Sequence, residues 1–311
     1  MNRFIGLTVG FSLLFVFIHL LSIELFVRKI MIPQDPVIMK QNALVEQMES
    51  IEVIGIGDSH TECALICTNK VLFNYGRGGD PAPLMYFKTK FALTHAKNIH
   101  TVLLQLDYHQ FSDFRTNVDP GVIHFVSIID EDVKELFGYP RLSKKNSIIL
   151  YSLKKNYAPI VHKSIYQYLR GSLRPIEAHT AKWSDVSELK RNEFAKKVVD
   201  IQINSPNIMN TTLLFWYEKT IRFIQSSHVQ VVLVRYPLSS EYLDAMDTDA
   251  EQEFNQLVSR LQNSYNCCVL DYHRLFYYRR DLFFNQDHVN FTGGTFISHT
   301  ILNDIDTLTN K

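Results

Sequence analysis

The chain has 311 residues, 46% of them hydrophobic, and its 32 Lys and Arg are balanced by 32 Asp and Glu. That length and apolar content suit one large folded domain with an appendage and exclude a disordered chain, which would be poor in apolar residues and strongly charged. A net charge of zero leaves no cationic surplus for phosphate backbones, so no nucleic-acid partner is expected.

Phe4 to Val27 is a nearly unbroken apolar run. At about 1.5 Å per residue it is long enough to cross a hydrocarbon core of about 30 Å. His19 and Glu24 are its only strongly polar members, and Glu24 lies close enough to the end to reach the headgroups. A cleaved signal peptide would end in small residues, whereas this run ends Glu24-Leu-Phe-Val-Arg-Lys29. Residues 1–30 are therefore expected to be a retained membrane anchor. Arg28 and Lys29 after the span outnumber Arg3 before it, a small bias toward a cytoplasmic carboxyl side.

Residues 31–50, with Pro33 and Pro36, read as a tether followed by a short helix. Ile51 to Ile56 is a buried strand of mostly β-branched residues, broken by Gly57-Asp58-Ser59-His60 before a helix from Thr61 to Thr68. Such a turn lies at the carboxyl edge of an open α/β sheet, where these folds hold their ligands. Ser59 there can be exposed to a base, with amides of the following helix offered to an oxyanion. The plainer alternative is that Asp58 or Ser59 is a helix N-cap. His60 reads as a first-turn helix residue.

Val71 to Asp80 is a short strand running into a glycine-rich loop that holds Gly76, Gly78 and Gly79. A helix follows over Leu84–Lys97, then a strand over His100–Leu106 that ends in Asp107-Tyr-His-Gln-Phe111. Strand, loop and helix alternate, which predicts a parallel sheet with helices on both faces. Residues of about 115–210 break this rhythm and are expected to be a helical insertion, with helices near Ile129–Phe137, Asn146–Leu169 and Ser184–Val199. The alternation returns with a helix at Thr212–Ser227, a strand at Val229–Arg235, a helix at Ala250–Tyr265 and a strand at Cys267–Tyr272. Phe284 to Gly294 is then a loop, and Thr295–Leu308 a closing helix. Asp271, at the last strand's end, is expected to be a structural cap. Cys63, Cys67, Cys267 and Cys268 contain no CxxC pair, so no zinc site is expected among them.

A nucleophilic serine needs a base within hydrogen-bond reach and donors aimed at the oxyanion. His288, in the loop before the last helix, is the candidate base, because that loop returns to the same sheet edge. Glycines at the second strand's end would let backbone amides approach a ligand closely.

With these residues in view the sequence resembles the SGNH, or GDSL-like, serine hydrolases and acyltransferases over roughly residues 51–111 and 229–305. Gly57-Asp58-Ser59 is similar to that family's first block, with Ser59 as nucleophile and its amide in the oxyanion hole. Asn74-Tyr-Gly-Arg-Gly-Gly-Asp80 is similar to the second, with Gly79 as the oxyanion glycine. Asp287-His288-Val-Asn290 with Gly293 is similar to the last, with His288 as general base. The family's triad acid would stand at Asn285 here, so either Asp287 substitutes or the site runs as a dyad. The third block is absent, and His109 stands where its oxyanion asparagine would be.

The resemblance implies a three-layer flavodoxin-like α/β/α sandwich over residues 51–311, with no cofactor and no metal. More closely, the chain resembles the branch with one amino-terminal span that works on cell-envelope polysaccharides. That implies an extracytoplasmic esterase or O-acyltransferase acting on acyl, above all acetyl, groups. Its partners would be an acylated glycan or acyl donor and a membrane-bound acyltransferase. The rival expectation, favoured by Asn285 and the missing third block, is a non-catalytic, membrane-tethered glycan-binding or assembly protein.

Overall fold

The computed structural model describes residues 2–26, 29–30, 36–66, 71–116, 180–203 and 209–309. Two compact units divide the chain, one of them comprising Ala43–Val118 with Ile176–Lys311. The other contains the first helix, α1 (Asn2–Phe26), in which Phe4–Phe26 is long and apolar enough to cross a membrane. Most of its Phe and Leu side chains are exposed, as they would be in a helix built to face lipid.

The larger unit is a five-stranded, wholly parallel sheet. In chain order the strands are β1 (Val53–Ile56), β2 (Leu72–Asn74), β3 (Thr101–Gln105), β4 (Gln230–Arg235) and β5 (Cys268–Asp271), and their order across the sheet is β2-β1-β3-β4-β5. This is the flavodoxin-like doubly wound order. Registers such as Gly55↔Leu103, Val102↔Val231 and Leu233↔Val269 keep the strands aligned, so all five carboxyl ends reach one rim. The central strands are buried on both faces, which is why they read in sequence as continuous rather than alternating apolar runs.

Helix α2 (Pro36–Gln47) precedes the sheet, while α3 (Ser59–Ala64) and α4 (Ala82–His95) follow β1 and β2. Helix α5 (Glu188–Gln202) matches the third helix expected in the insertion; the other two, Ile129–Phe137 and Asn146–Leu169, lie outside the described residues. Helix α6 (Thr211–Ser226) leads into β4, then come α7 (Ser240–Ala245), which the sequence did not suggest, α8 (Thr248–Tyr265) and α9 (Phe291–Thr309). Ala64 and Leu65 pack with Ile297, Ile301 and Ile305 of α9 against one sheet face. Each of those isoleucines, spaced four apart on one helical stripe, contributes about 1.5–3 kcal/mol by burial. Helices α4 and α6 pack on each other and share no residue with that cluster, consistent with the opposite face.

Helix α9 begins at Phe291 rather than Thr295 because Asn290 caps it. The Asn290 side chain accepts from the Gly293 amide at 3.1 Å and its carbonyl from the Gly294 amide at 2.8 Å. Both glycines are needed there for space, since a Cβ on Gly293 would lie 2.3 Å from the Leu282 carbonyl and one on Gly294 2.5 Å from that of Cys63. Cys63, Cys267 and Cys268 are free thiols.

Candidate active site

The end of β1 fixes the first element of the site. A Cβ on Gly57 would lie 2.0 Å from Thr61 Oγ1 and 2.3 Å from Gln105 Oε1, so only glycine lets α3 turn this tightly off the strand. Asp58 is the helix N-cap, its Oδ1 accepting from the His60 amide at 3.0 Å and from Gln105 Nε2 at 2.7 Å. Its other oxygen accepts from His109 Nε2 at 2.7 Å and from the Arg115 guanidinium. Burial works against ionising Asp58, but Arg115, then His109 and His60, hold its carboxyl well below the usual carboxylate range. The cap is therefore Asp58, and Ser59 is left partly exposed between two buried neighbours.

The loop after β2 lies against that serine. A Cβ on Gly78 would sit 3.7 Å from Ser59 Cβ. Asn74 ties the loop to α3, its amide group facing the carbonyls of Thr61, Glu62 and Leu65 while its Oδ1 accepts from the Gly76 amide at 2.9 Å. Gly78 donates to Glu62 Oε2 at 2.7 Å. Gly79 has φ +85°, a conformation L side chains rarely adopt. The amides of Ser59 and Gly79 donate to no described residue.

The loop after β5 brings the imidazole. Asn285 Oδ1 accepts from the backbone amides of Asp287 (3.1 Å) and His288 (2.8 Å) and lies 3.0 Å from His288 Nδ1. Asp287 Oδ1 is also 3.0 Å from that nitrogen, but only Asn285 satisfies the direction of a hydrogen bond from it. With Nδ1 engaged, Nε2 is the nitrogen free to exchange a proton. Asp287 is buried and accepts from Gln286 Nε2 (2.9 Å) and Gln202 Nε2 (3.1 Å). Burial raises its carboxyl, but His288 and His60 together hold it well below the usual range. The Ser59 turn and the His288 loop, 229 positions apart in sequence, do meet at one rim: the rings of His60 and His288 pack edge to face at 5.1 Å.

His109 requires a correction. The sequence offered it as an oxyanion donor, but its ring is buried beside Asp58, with Nε2 committed to that carboxylate. Burial lowers its pKa, so it is a neutral donor fixing the turn and not one facing a ligand. The expected cap at Asp271 is present, its Oδ1 accepting from the His273 amide at 3.1 Å.

Gln105, His273 and Arg235 were not singled out in the sequence, and His60 and Asp107 join them in contacts that the sequence did not assign. Gln105, last in β3, accepts from the Asp58 amide (2.8 Å) and Thr61 Oγ1 (2.8 Å). His60 Nδ1 lies 2.9 Å from Asp107 Oδ2, and Asp107 Oδ1 lies 3.6 Å from His273 Nε2. Arg235 donates to His273 Nδ1 at 2.7 Å. The available signal was a polar residue closing an apolar strand, as at Gln105 and Arg235, because such a residue points into the rim. Two groups of donor atoms, Asp58/His60/His109 and His60/Asp287/His288, are each close enough to hold a metal ion. In the first, Asp58 is already neutralised by Arg115 and hydrogen-bonded to His109, which argues against an ion there.

No protein-family model matches the chain, and no curated protein matches it. Among solved structures, the chain is similar to a candidate acylhydrolase from Bacteroides fragilis, at 9% identity and TM-score 0.42, covering 86% of this chain and 96% of that one. It is similar to a candidate lipolytic protein of the G-D-S-L family from Desulfitobacterium hafniense at 11% identity and TM-score 0.37, covering 80% and 95%. A candidate platelet activating factor from Streptococcus pneumoniae is similar at 11% identity and TM-score 0.39, covering 91% and 97%. At these values the likenesses assign neither a residue nor a substrate, and the chemistry rests on the rim itself.

Proposed function

We propose that the chain is a membrane-anchored serine esterase or O-acyltransferase acting on acyl, above all acetyl, groups of a cell-envelope polysaccharide, with its catalytic domain outside the cytoplasmic membrane. The observation that carries this reading is the contact between the turn that holds the partly exposed Ser59 and the loop that holds His288, whose Nδ1 is already engaged, at the one rim shared by five parallel strands. Ser59 Oγ attacks the acyl carbonyl carbon as His288 Nε2 takes its proton. Asn285 fixes the ring, and the Asp287 carboxylate beside it offsets the imidazolium that forms. The Ser59 and Gly79 amides receive the negative charge on the carbonyl oxygen. His288 then returns the proton to the departing alcohol, and water or a sugar hydroxyl releases the acyl group by the reverse steps. Helix α1 supports the anchored location by its length and apolarity.

The test is labelling of the purified chain by a fluorophosphonate serine probe. Wild-type protein is expected to label and Ser59→Ala protein not to. Full-strength labelling of Ser59→Ala would remove Ser59 as the nucleophile. A folded wild-type protein that neither labels nor cleaves an acetyl ester, yet binds polysaccharide, would establish the non-catalytic role instead.

A further inference from the structure

His60 stands next to the nucleophile, yet it is buried and faces away from the role that position suggests. Its Nδ1 lies 2.9 Å from Asp107 Oδ2 and its Nε2 3.8 Å from Asp287 Oδ2. The remaining neighbours are the His109 ring at 4.5 Å, the His288 ring at 5.1 Å and the Asp58 carboxylate, which accepts from the His60 amide. Behind Asp107 stands His273, whose Nδ1 accepts from Arg235. Two buried carboxylates therefore flank one imidazole, and an unpaired buried carboxylate would take up a proton rather than stay charged.

We propose that His60 is a positioning residue for the reaction: clamped by Asp107, its ring holds the Asp287 carboxylate in place against His288. This rests on the reading of Ser59 and His288 as nucleophile and base. Each end of the bridge comes from a different strand end, Asp107 after β3, His60 after β1 and Asp287 after β5. The rim is thereby cross-linked under the point where the two catalytic loops meet. The electrostatics agree. Burial would lower the His60 pKa, but Asp107 first and Asp287 with it lift it to about 10, so the ring is an imidazolium at neutral pH. That charge lies 5.1 Å from the ring of His288, the group whose proton uptake the acid limb of the rate profile would report.

The experiment measures hydrolysis of 4-methylumbelliferyl acetate by the full chain across the pH range, for wild type, His60→Gln and Asp107→Asn. His60→Gln is expected to leave KM within about twofold, lower kcat by about tenfold or more, and move the acid limb of kcat/KM up by about one pH unit. Asp107→Asn should move it in the same direction. A folded His60→Gln enzyme with wild-type kcat and an unmoved acid limb would overturn the proposal, since loss of packing alone does not shift that limb. A second measurement needs no activity and neither of those two variants: histidine NMR titration of folded Ser59→Ala protein, in which His60 is expected to stay charged beyond about pH 9. A His60 signal titrating near the ordinary histidine value would overturn the bridge. An inactive wild type whose His60 stays charged would instead count against the catalytic reading alone.

Discussion

A triad acid does two things for its histidine: it accepts the Nδ1 proton's hydrogen bond, and it supplies a negative charge that stabilises the imidazolium. On the proposed reading of this site the two tasks fall to different residues. Asn285 has the hydrogen-bond geometry but no charge, while Asp287 has the charge, at the same 3.0 Å, but lies off the hydrogen-bond direction. This division gives opposite expectations for two near-isosteric substitutions. Asp287→Asn removes the charge and is expected to lower kcat by about 10²- to 10⁴-fold, the upper figure being the handicap of an Asp-to-Asn change at a serine-protease triad. Asn285→Asp keeps every acceptor Asn285 provides to the loop amides and adds charge on the N–H line. It is expected to retain activity, and with Asp287→Asn to recover part of the loss. Steady-state kinetics on the acetyl ester decide it: an inactive Asn285→Asp enzyme, or an Asp287→Asn enzyme as fast as wild type, contradicts the division.

At the scale of the element, the site depends on how sharply α3 leaves β1. Gly57 sits where Thr61 and Gln105 close over the strand end, and both are buried and hydrogen-bonded to each other at 2.8 Å. Gly57→Ala would force that pair apart and with it the Asp58 cap. Overpacking of this kind costs about 1–3 kcal/mol, which predicts a lower denaturation midpoint at unchanged m-value; an unchanged midpoint would mean the turn relaxes freely. Glycines of this sort were legible in the sequence, because a glycine closing a run of β-branched residues marks where a strand must turn. So were the parallel alternation and the return of the His288 loop to the rim that carries the Ser59 turn. The role of His109 was not, since sequence order shows a histidine near a strand end but not whether its ring faces the ligand or a buried aspartate. The start of α9 was missed for a related reason. Gly293-Gly294 reads as a loop by propensity, whereas close contact with Leu282 and Cys63 makes glycine the residue that fits a helix there.

Across the whole molecule, the strand ends are joined by buried charges whose protonation is coupled to folding. Asp58, Asp107 and Asp287 all have carboxyls lowered in the fold by their histidine and arginine partners, against the effect of burial. Their contribution to stability is present above the unfolded carboxylate pKa of about 3.9 and is lost as pH falls through the folded values. His60 acts in the other sense. Its pKa is raised from 6.5 to about 10, so its contribution is complete below 6.5 and is lost as pH climbs from there toward 10. The buried tyrosines Tyr217 and Tyr242 are pushed upward as well, but from an ordinary value of 10.0, so their loss begins only above that. The alkaline decline between about pH 6.5 and 9 therefore belongs chiefly to His60 among these groups. Thermal unfolding across pH is expected to peak near about pH 6.5: below it buried His109 and His273, whose pKa values burial lowers, resist the proton that the unfolded chain takes up, and above it the His60 contribution is lost. His60→Gln protein should be less stable at the peak but flatter on the alkaline side. A wild-type melting temperature that holds steady through about pH 9, or a His60→Gln protein that declines as steeply, would mean that His60 is not the charge bridging the rim.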